Sequence, residues 1–365
     1  MQREGGSVRR RGTAAFEQCC WDLYHFFRVS AFGATATLPL LGAGSADPQF
    51  PLRRAGGLLA VAAAFHSFAY LHNDVCDLEL DRTQPRRQRY PLVRGAVAPP
   101  VALGLALACL PLAVVLHAWL VAPAPPGGCG APSHPVAPAH LATACALLAI
   151  YNRYGKICPV PMLTDLVQAL GWAALLCYGE AATGRAATGL TALLAAYEVL
   201  LILLVNGVHG ALRDLENDAA RGARTTAIVL GARVEQGALR VPRPLLIYAL
   251  LLQAGLLALP AWGIAANTAA QRGPARIAAG VGVAGISLAT LATLVAVARA
   301  GHASDGAGMA HLVLLLSSPV ALVAPGLATR PRSALLAAHL APLIPNGMTY
   351  AALHWATGRE RRQAP

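Results

Sequence analysis

AGGLLAVAAAFHSFAYLH, residues 55–72, is an apolar run without a formal charge, and NDVCDLELD, residues 73–81, follows it at once with four carboxylates. A run of that length and polarity reads as a membrane-spanning helix. The acidic cluster therefore sits where a helix leaves the bilayer. Runs of similar character recur at 18–43, 98–121, 138–152, 161–178, 188–210, 243–266, 275–298, 307–324 and 334–355. They are rich in Ala and Leu and lack the alternation that a membrane barrel requires, which excludes strands.

Composition agrees with this reading. Of 365 residues, 56% are hydrophobic and 13% charged, against about 25% charged in a soluble domain. The expected fold class is all-α: a polytopic membrane helical bundle of nine to ten transmembrane helices over residues 16–355. A disordered basic N-terminal tail is expected at 1–15 and a basic C-terminal tail at 356–365. A cleaved signal peptide ending in the small residues near 46 would need a leader of nearly 30 residues containing Glu17 and Asp22, which signal peptides avoid.

The formal charge of +12 comes from arginine, since Lys156 is the only lysine. These arginines lie at the ends of apolar runs. With ten spans and the N-terminus inside, most fall on the cytoplasmic side, including Arg82, Arg86, Arg87, Arg89, Arg94, Arg213, Arg221 and Arg224. That is the positive-inside pattern, and it accounts for the charge without nucleic acid as a partner. The eight cysteines are scattered and form no CxxC pair, so they read as small apolar residues.

Only 17 residues are acidic, and seven of them occupy two short windows: Asp74, Asp77, Glu79 and Asp81, then Asp214, Glu216 and Asp218. Each window follows an apolar span, and the two are four spans apart, as in an internal duplication. At about 100° per residue on a helix, Asn73, Asp77, Asp81 and Asp74 share one face, as do Asp214 with Asp218, while Glu79 and Glu216 point away. Carboxylates so placed raise one another's pKa unless a cation sits among them. Mg²⁺ suits such oxygen ligands and typically bridges carboxylates to substrate phosphates. Arginines and Lys156 are then available for the remaining phosphate oxygens.

NDVCDLELD (73–81), PLVRG (91–95) and RDLENDAARGARTTAIVLG (213–231) together resemble the UbiA superfamily of intramembrane prenyltransferases, over roughly residues 25 to 300. The resemblance implies an integral membrane enzyme, with its site opening toward the cytoplasm, that binds an allylic isoprenyl diphosphate through Mg²⁺ and ionises it. It implies Asn73, Asp77 and Asp81 as the first metal-binding set and Asp214 and Asp218 as the second. It further implies Arg28, Asn73, Lys156, Arg89, Arg94 and Arg224 as diphosphate-binding residues. The chain departs from the pattern at Tyr90, where many relatives carry a basic residue before the proline, at Asn217, where Gly is frequent, and in an apparent tenth span.

An allylic cation needs shelter from water, and aromatic faces stabilise it; Tyr151 and Tyr154 are candidates for that role. Glu198, Asn206 and His209 are polar residues within the span leading to the second motif, where ionisable groups are functional by default. The expected reaction is transfer of the prenyl group to an electron-rich aromatic acceptor. Cyclisation of the donor by a membrane terpene cyclase uses the same motifs and is the alternative. Cation transport is the third reading, and it is weakened because transport carboxylates belong near the bilayer midplane.

Overall fold

A bilayer offers the backbone no hydrogen-bond partners, so long apolar segments close their own ladders as helices. The computed structural model describes residues 16–121, 135–300 and 305–346. The expected tails at 1–15 and 356–365, most of the Pro/Gly-rich loop after residue 121, and residues 347–355 of the last expected span lie outside the described residues.

After a helix at 16–26, α1, the chain forms α2 (Val29–Ala46), α3 (Leu52–Cys76) and the single turn α4 (Leu78–Asp81). Next come α5 (Pro99–Leu116), continued as a π-helical stretch His117–Val121, then α6 (Val136–Tyr154), α7 (Pro161–Ala181) and α8 (Gly189–Leu204). A second π-helical stretch, Val205–Gly210, leads into the short helices α9 (Ala211–Arg213), α10 (Leu215–Ala220) and α11 (Thr226–Val229). A two-stranded hairpin, β1 (Arg233–Glu235) with β2 (Ala238–Arg240), precedes α12 (Arg243–Ala265), α13 (Pro274–Ala300), α14 (Asp305–Val323) and α15 (Thr329–Leu340).

Among the described residues eight helices are long and apolar enough to cross a membrane. Helix α6, 19 residues long, packs between α3 and α7. The 12-residue α15, with the residues after it, runs alongside α2. Its start is tied to the far end of α2, where the Ala328 N–H donates to the Pro48 carbonyl at 3.0 Å. Its continuation reaches the opposite end of α2, where Asn346 Nδ2 donates to the Ser30 carbonyl at 2.9 Å. Both acidic motifs lie at that same end.

The core sits where α2, α3 and α7 meet, filled by Leu40, Leu58, Phe65, Leu175, Leu176 and Tyr178. Helices α2 and α7 cross there almost in backbone contact. A Cβ on Gly42 would fall 1.9 Å from the Leu176 carbonyl oxygen, and one on Gly179 would fall 2.0 Å from that of Pro39. Small residues are what allow helices to approach so closely within a membrane. A second apolar cluster, around Tyr197, Leu201, Leu252 and Leu256, joins α8 to α12 and backs the second acidic motif.

Gly179→Val is accordingly expected to separate α2 from α7, at a cost of about 3 kcal/mol or more. Monodispersity and melting temperature of the detergent-purified protein would check this; a variant as stable as the parent would contradict the crossing.

Candidate active site

Each acidic motif is a helix broken at its first aspartate. α3 ends at Cys76 and Asp77 takes φ −92°, ψ 4°, after which α4 resumes. α9 ends at Arg213 and Asp214 takes φ −101°, ψ 6°, after which α10 resumes. Both residues lie in the sparsely populated bridge region. The four-residue backbone bonds nonetheless continue: Asp77 N–H to Asn73 at 2.9 Å, Asp81 to Asp77 at 2.8 Å, Asp214 to Gly210 at 3.1 Å and Asp218 to Asp214 at 2.9 Å. The helical facing expected from spacing thus survives a kink that was not expected. Glu79 and Glu216 are exposed, on the side turned away.

The two motifs touch. Gln84 Nε2, three residues beyond the first motif, donates to Asp214 Oδ1 at 3.0 Å. Thr83 Oγ1 donates to Asn217 Oδ1 at 3.0 Å, and Asn217 Nδ2 donates to the Leu80 carbonyl at 3.3 Å. Asn217, where Gly is frequent in the family pattern, therefore pins the motifs together.

Cations meet the carboxylates from four segments. Arg213, at the end of α9, donates to Asp214 Oδ2 at 2.8 Å. Arg28, between α1 and α2, forms an ion pair with buried Asp74. Arg87 Nη1 lies 3.1 Å from Asp81 Oδ2 and 3.7 Å from Asp74 Oδ1. Lys156, in the turn after α6, donates to Asp218 Oδ2 at 2.7 Å. Tyr90 is the shared platform: the Arg28 and Arg87 guanidinium carbons lie 4.8 and 5.5 Å from its ring centre, and His25 stacks on it at 4.9 Å. The aromatic residue at this position thus orders two arginines.

Burial and neighbouring charge set the electrostatics. Burial pushes the Asp77 carboxyl up to about 6 despite the opposing pull of Lys156. Asp81 rises to about 8, through burial first and the Asp74 charge second. For Lys156 burial opposes the charge, but Asp218 outweighs it and the pKa is raised. Both carboxylates are held up chiefly because burial strips them of water.

The donor set is oxygen-rich and suits a hard divalent cation. Among the described residues no three His, Cys, Asp or Glu side chains gather closely enough to hold a metal ion alone. A cation there must complete its shell with water and ligand oxygens, as Mg²⁺ does beside phosphates. Arg87 Nη1 is buried and, although ion-paired with Asp81, makes no aligned hydrogen bond.

The model of the UbiA prenyltransferase family matches residues 34–307. The chain belongs to this family. A search of curated sequences finds no match. The apo structure of a UbiA homologue from Aeropyrum pernix K1 is 20% identical, covering 80% of this chain and 96% of that one, at a TM-score of 0.56. A UbiA homologue from Archaeoglobus fulgidus bound to GPP and Mg²⁺ is 17% identical, covering 82% and 98%, at 0.57. A structure concerning digeranylgeranylglyceryl phosphate synthase in membranes is 14% identical, covering 85% and 99%, at 0.57. These likenesses establish a UbiA fold in an integral membrane protein.

Within this UbiA bundle the structure gathers Arg28, Asn73, Asp77, Asp81, Lys156, Asp214 and Asp218 at one end, with Asn73 Nδ2 donating to Asp77 Oδ2 at 3.2 Å. It does not gather every candidate. Arg89 is exposed, and Arg94 pairs with Asp22 of α1; Arg224 is exposed too, yet its backbone N–H donates to the Lys156 carbonyl at 2.9 Å, which sets it beside the Lys156–Asp218 pair. Tyr154 is 51% exposed, whereas Tyr151 lies within electrostatic reach of Asp165, Asp77 and Asp218. Sequence reasoning passed over Arg87, Gln84 and Asp165. Asp165 accepts from Thr226 Oγ1 at 2.6 Å and ties the segment after the second motif to α7; a lone carboxylate in an apolar span was the signal for it.

Lys156→Met would leave Asp218, whose side chain is 2% exposed, buried without its cation, and is expected to cost about 2 kcal/mol or more. Adding Asp218→Asn should recover part of that loss, as read from melting temperatures of the two variants. Equal stability of parent and Lys156→Met would show that the pair is not structural.

Proposed function

We propose that the chain is a Mg²⁺-dependent membrane prenyltransferase that takes an allylic isoprenyl diphosphate and transfers its prenyl group to an electron-rich aromatic acceptor. The contact between the two aspartate motifs through Gln84 and Asn217, with Arg28, Arg87 and Lys156 converging on it, carries this reading. The family and the homologue bound to GPP and Mg²⁺ support it.

Asn73, Asp77, Asp81, Asp214 and Asp218 are the residues that would hold Mg²⁺, which when bound supplies Lewis-acid stabilisation of a leaving diphosphate. Arg28, Arg87 and Lys156 add fixed positive charge toward the same oxygens, so charge developing as the C–O bond breaks meets a preorganised site. The bond's electron pair leaves with diphosphate, the allylic carbon accepts a pair from the acceptor ring, and the ring then loses a proton. Tyr70, Trp172, Asn73, Asn152 and Gln168 line a hollow that Asn73 joins to Asp77; its aromatic faces suit a cation. Buried Glu198, within electrostatic reach of Tyr70, is the carboxylate we assign to the departing ring proton. The arginine bias supports an opening toward the cytoplasm.

Geranyl diphosphate with Mg²⁺ and a phenolic acceptor should yield prenylated acceptor and diphosphate, while omission of the acceptor should leave the donor intact. Hydrocarbon formed without acceptor would replace transfer by cyclisation. Asp77→Asn and Asp214→Asn are each expected to lower turnover by about a thousandfold while the protein stays monodisperse in detergent. Near-normal turnover in either would remove that carboxylate from the site, and metal-dependent ion flux in vesicles that survives both substitutions would favour transport.

A further inference from the structure

Arg28 is not glycine, yet its backbone is left-handed, at φ 48°, ψ 43°. A side chain in that region is strained and persists only where the surroundings over-determine it. Here the turn between α1 and α2 is held from two directions. From α3, His66 Nε2 faces the carbonyls of Phe27 at 3.0 Å and Arg28 at 3.2 Å. Two carbonyl acceptors require the proton on Nε2, so Nδ1 accepts from Thr35 Oγ1 at 2.8 Å. From the opposite end of the chain, Asn346 bridges the turn: Tyr24 Oη donates to its Oδ1 at 2.6 Å, and its Nδ2 donates to the Ser30 carbonyl at 2.9 Å. Tyr24 lies four residues before Arg28 and Ser30 two residues after it, so one amide side chain fixes both flanks.

We propose that Asn346, on the segment after α15, is a positioning residue for diphosphate binding, which it serves by clamping the strained Arg28 turn so that the guanidinium points into the acidic cluster. The inference rests on the reading of Arg28 as a diphosphate ligand. The segment bearing Asn346 follows α15, which packs along α2, and Pro342 lies against Gly33, whose Cβ would sit 3.0 Å from the Pro342 ring. That close fit fixes the height at which Asn346 arrives.

The test measures the affinity of the purified full-length protein for geranyl S-thiolodiphosphate with Mg²⁺, for the parent, Arg28→Ala, Asn346→Leu and the double variant. Two hydrogen bonds at about 1 kcal/mol each predict about tenfold or greater weakening by Asn346→Leu. In a positioning relation the double variant binds no more weakly than Arg28→Ala alone, because Asn346 acts only through Arg28. Tyr24→Phe, which removes one bond and keeps the ring, should weaken binding about fivefold and serves also if Asn346→Leu does not fold. Additive losses in the double variant, or unchanged affinity in both Asn346→Leu and Tyr24→Phe while Arg28→Ala binds weakly, would overturn the clamp and leave the diphosphate reading standing. Unchanged affinity in Arg28→Ala would overturn that reading of Arg28 and the clamp with it.

Discussion

Carboxylates gathered at the rim of a membrane helix bundle cannot all remain ionised without compensating charge, and this requirement organises the motif end of the molecule. Burial and mutual repulsion lift Asp77 and Asp81, and the chain answers with Arg28, Arg87, Lys156 and Arg213, drawn from four separate segments. Each cation arrives on a different element: the turn before α2, the loop after the first motif, the turn between α6 and α7, and α9. The site is therefore an agreement among short connecting segments, held in place by the helices beneath them. Tyr90 and Asn217 add no charge but decide how the charged groups lie, one as a stacking platform and the other as a bridge between motifs.

The bundle was legible because the apolar runs are long and nearly free of charge, a signal that survives any error at the boundaries. The acidic motifs were legible for a related reason: in a chain so poor in carboxylates, seven in two windows stand out. Spacing gave the facing of Asp77 with Asp81 and of Asp214 with Asp218, because the four-residue hydrogen bonds persist even through the bends at Asp77 and Asp214. Those bends left no mark in the sequence, since the bridge region admits most residue types.

Selecting among arginines was harder. Arg87 and Arg89 are two residues apart, and only the fold of the loop and the stacking on Tyr90 turn Arg87 inward while Arg89 stays exposed. Arg94 was drawn instead to Asp22, a partner more than 70 positions earlier that no local pattern names. Asp165 was passed over because it stands alone, whereas attention went to clusters; its partner Thr226 lies on a segment brought close only by the bundle.

The path of α15 has its own consequence. It starts beside Pro48 and runs back along α2, so the segment after it meets Tyr24 and Ser30 where α2 begins. Tyr24 and Asn346 are thereby fastened to each other across 322 positions of sequence. Synthesis runs from residue 24 toward residue 346, so the turn that aims Arg28 can be completed only after the segment bearing Asn346 has been made and has reached it.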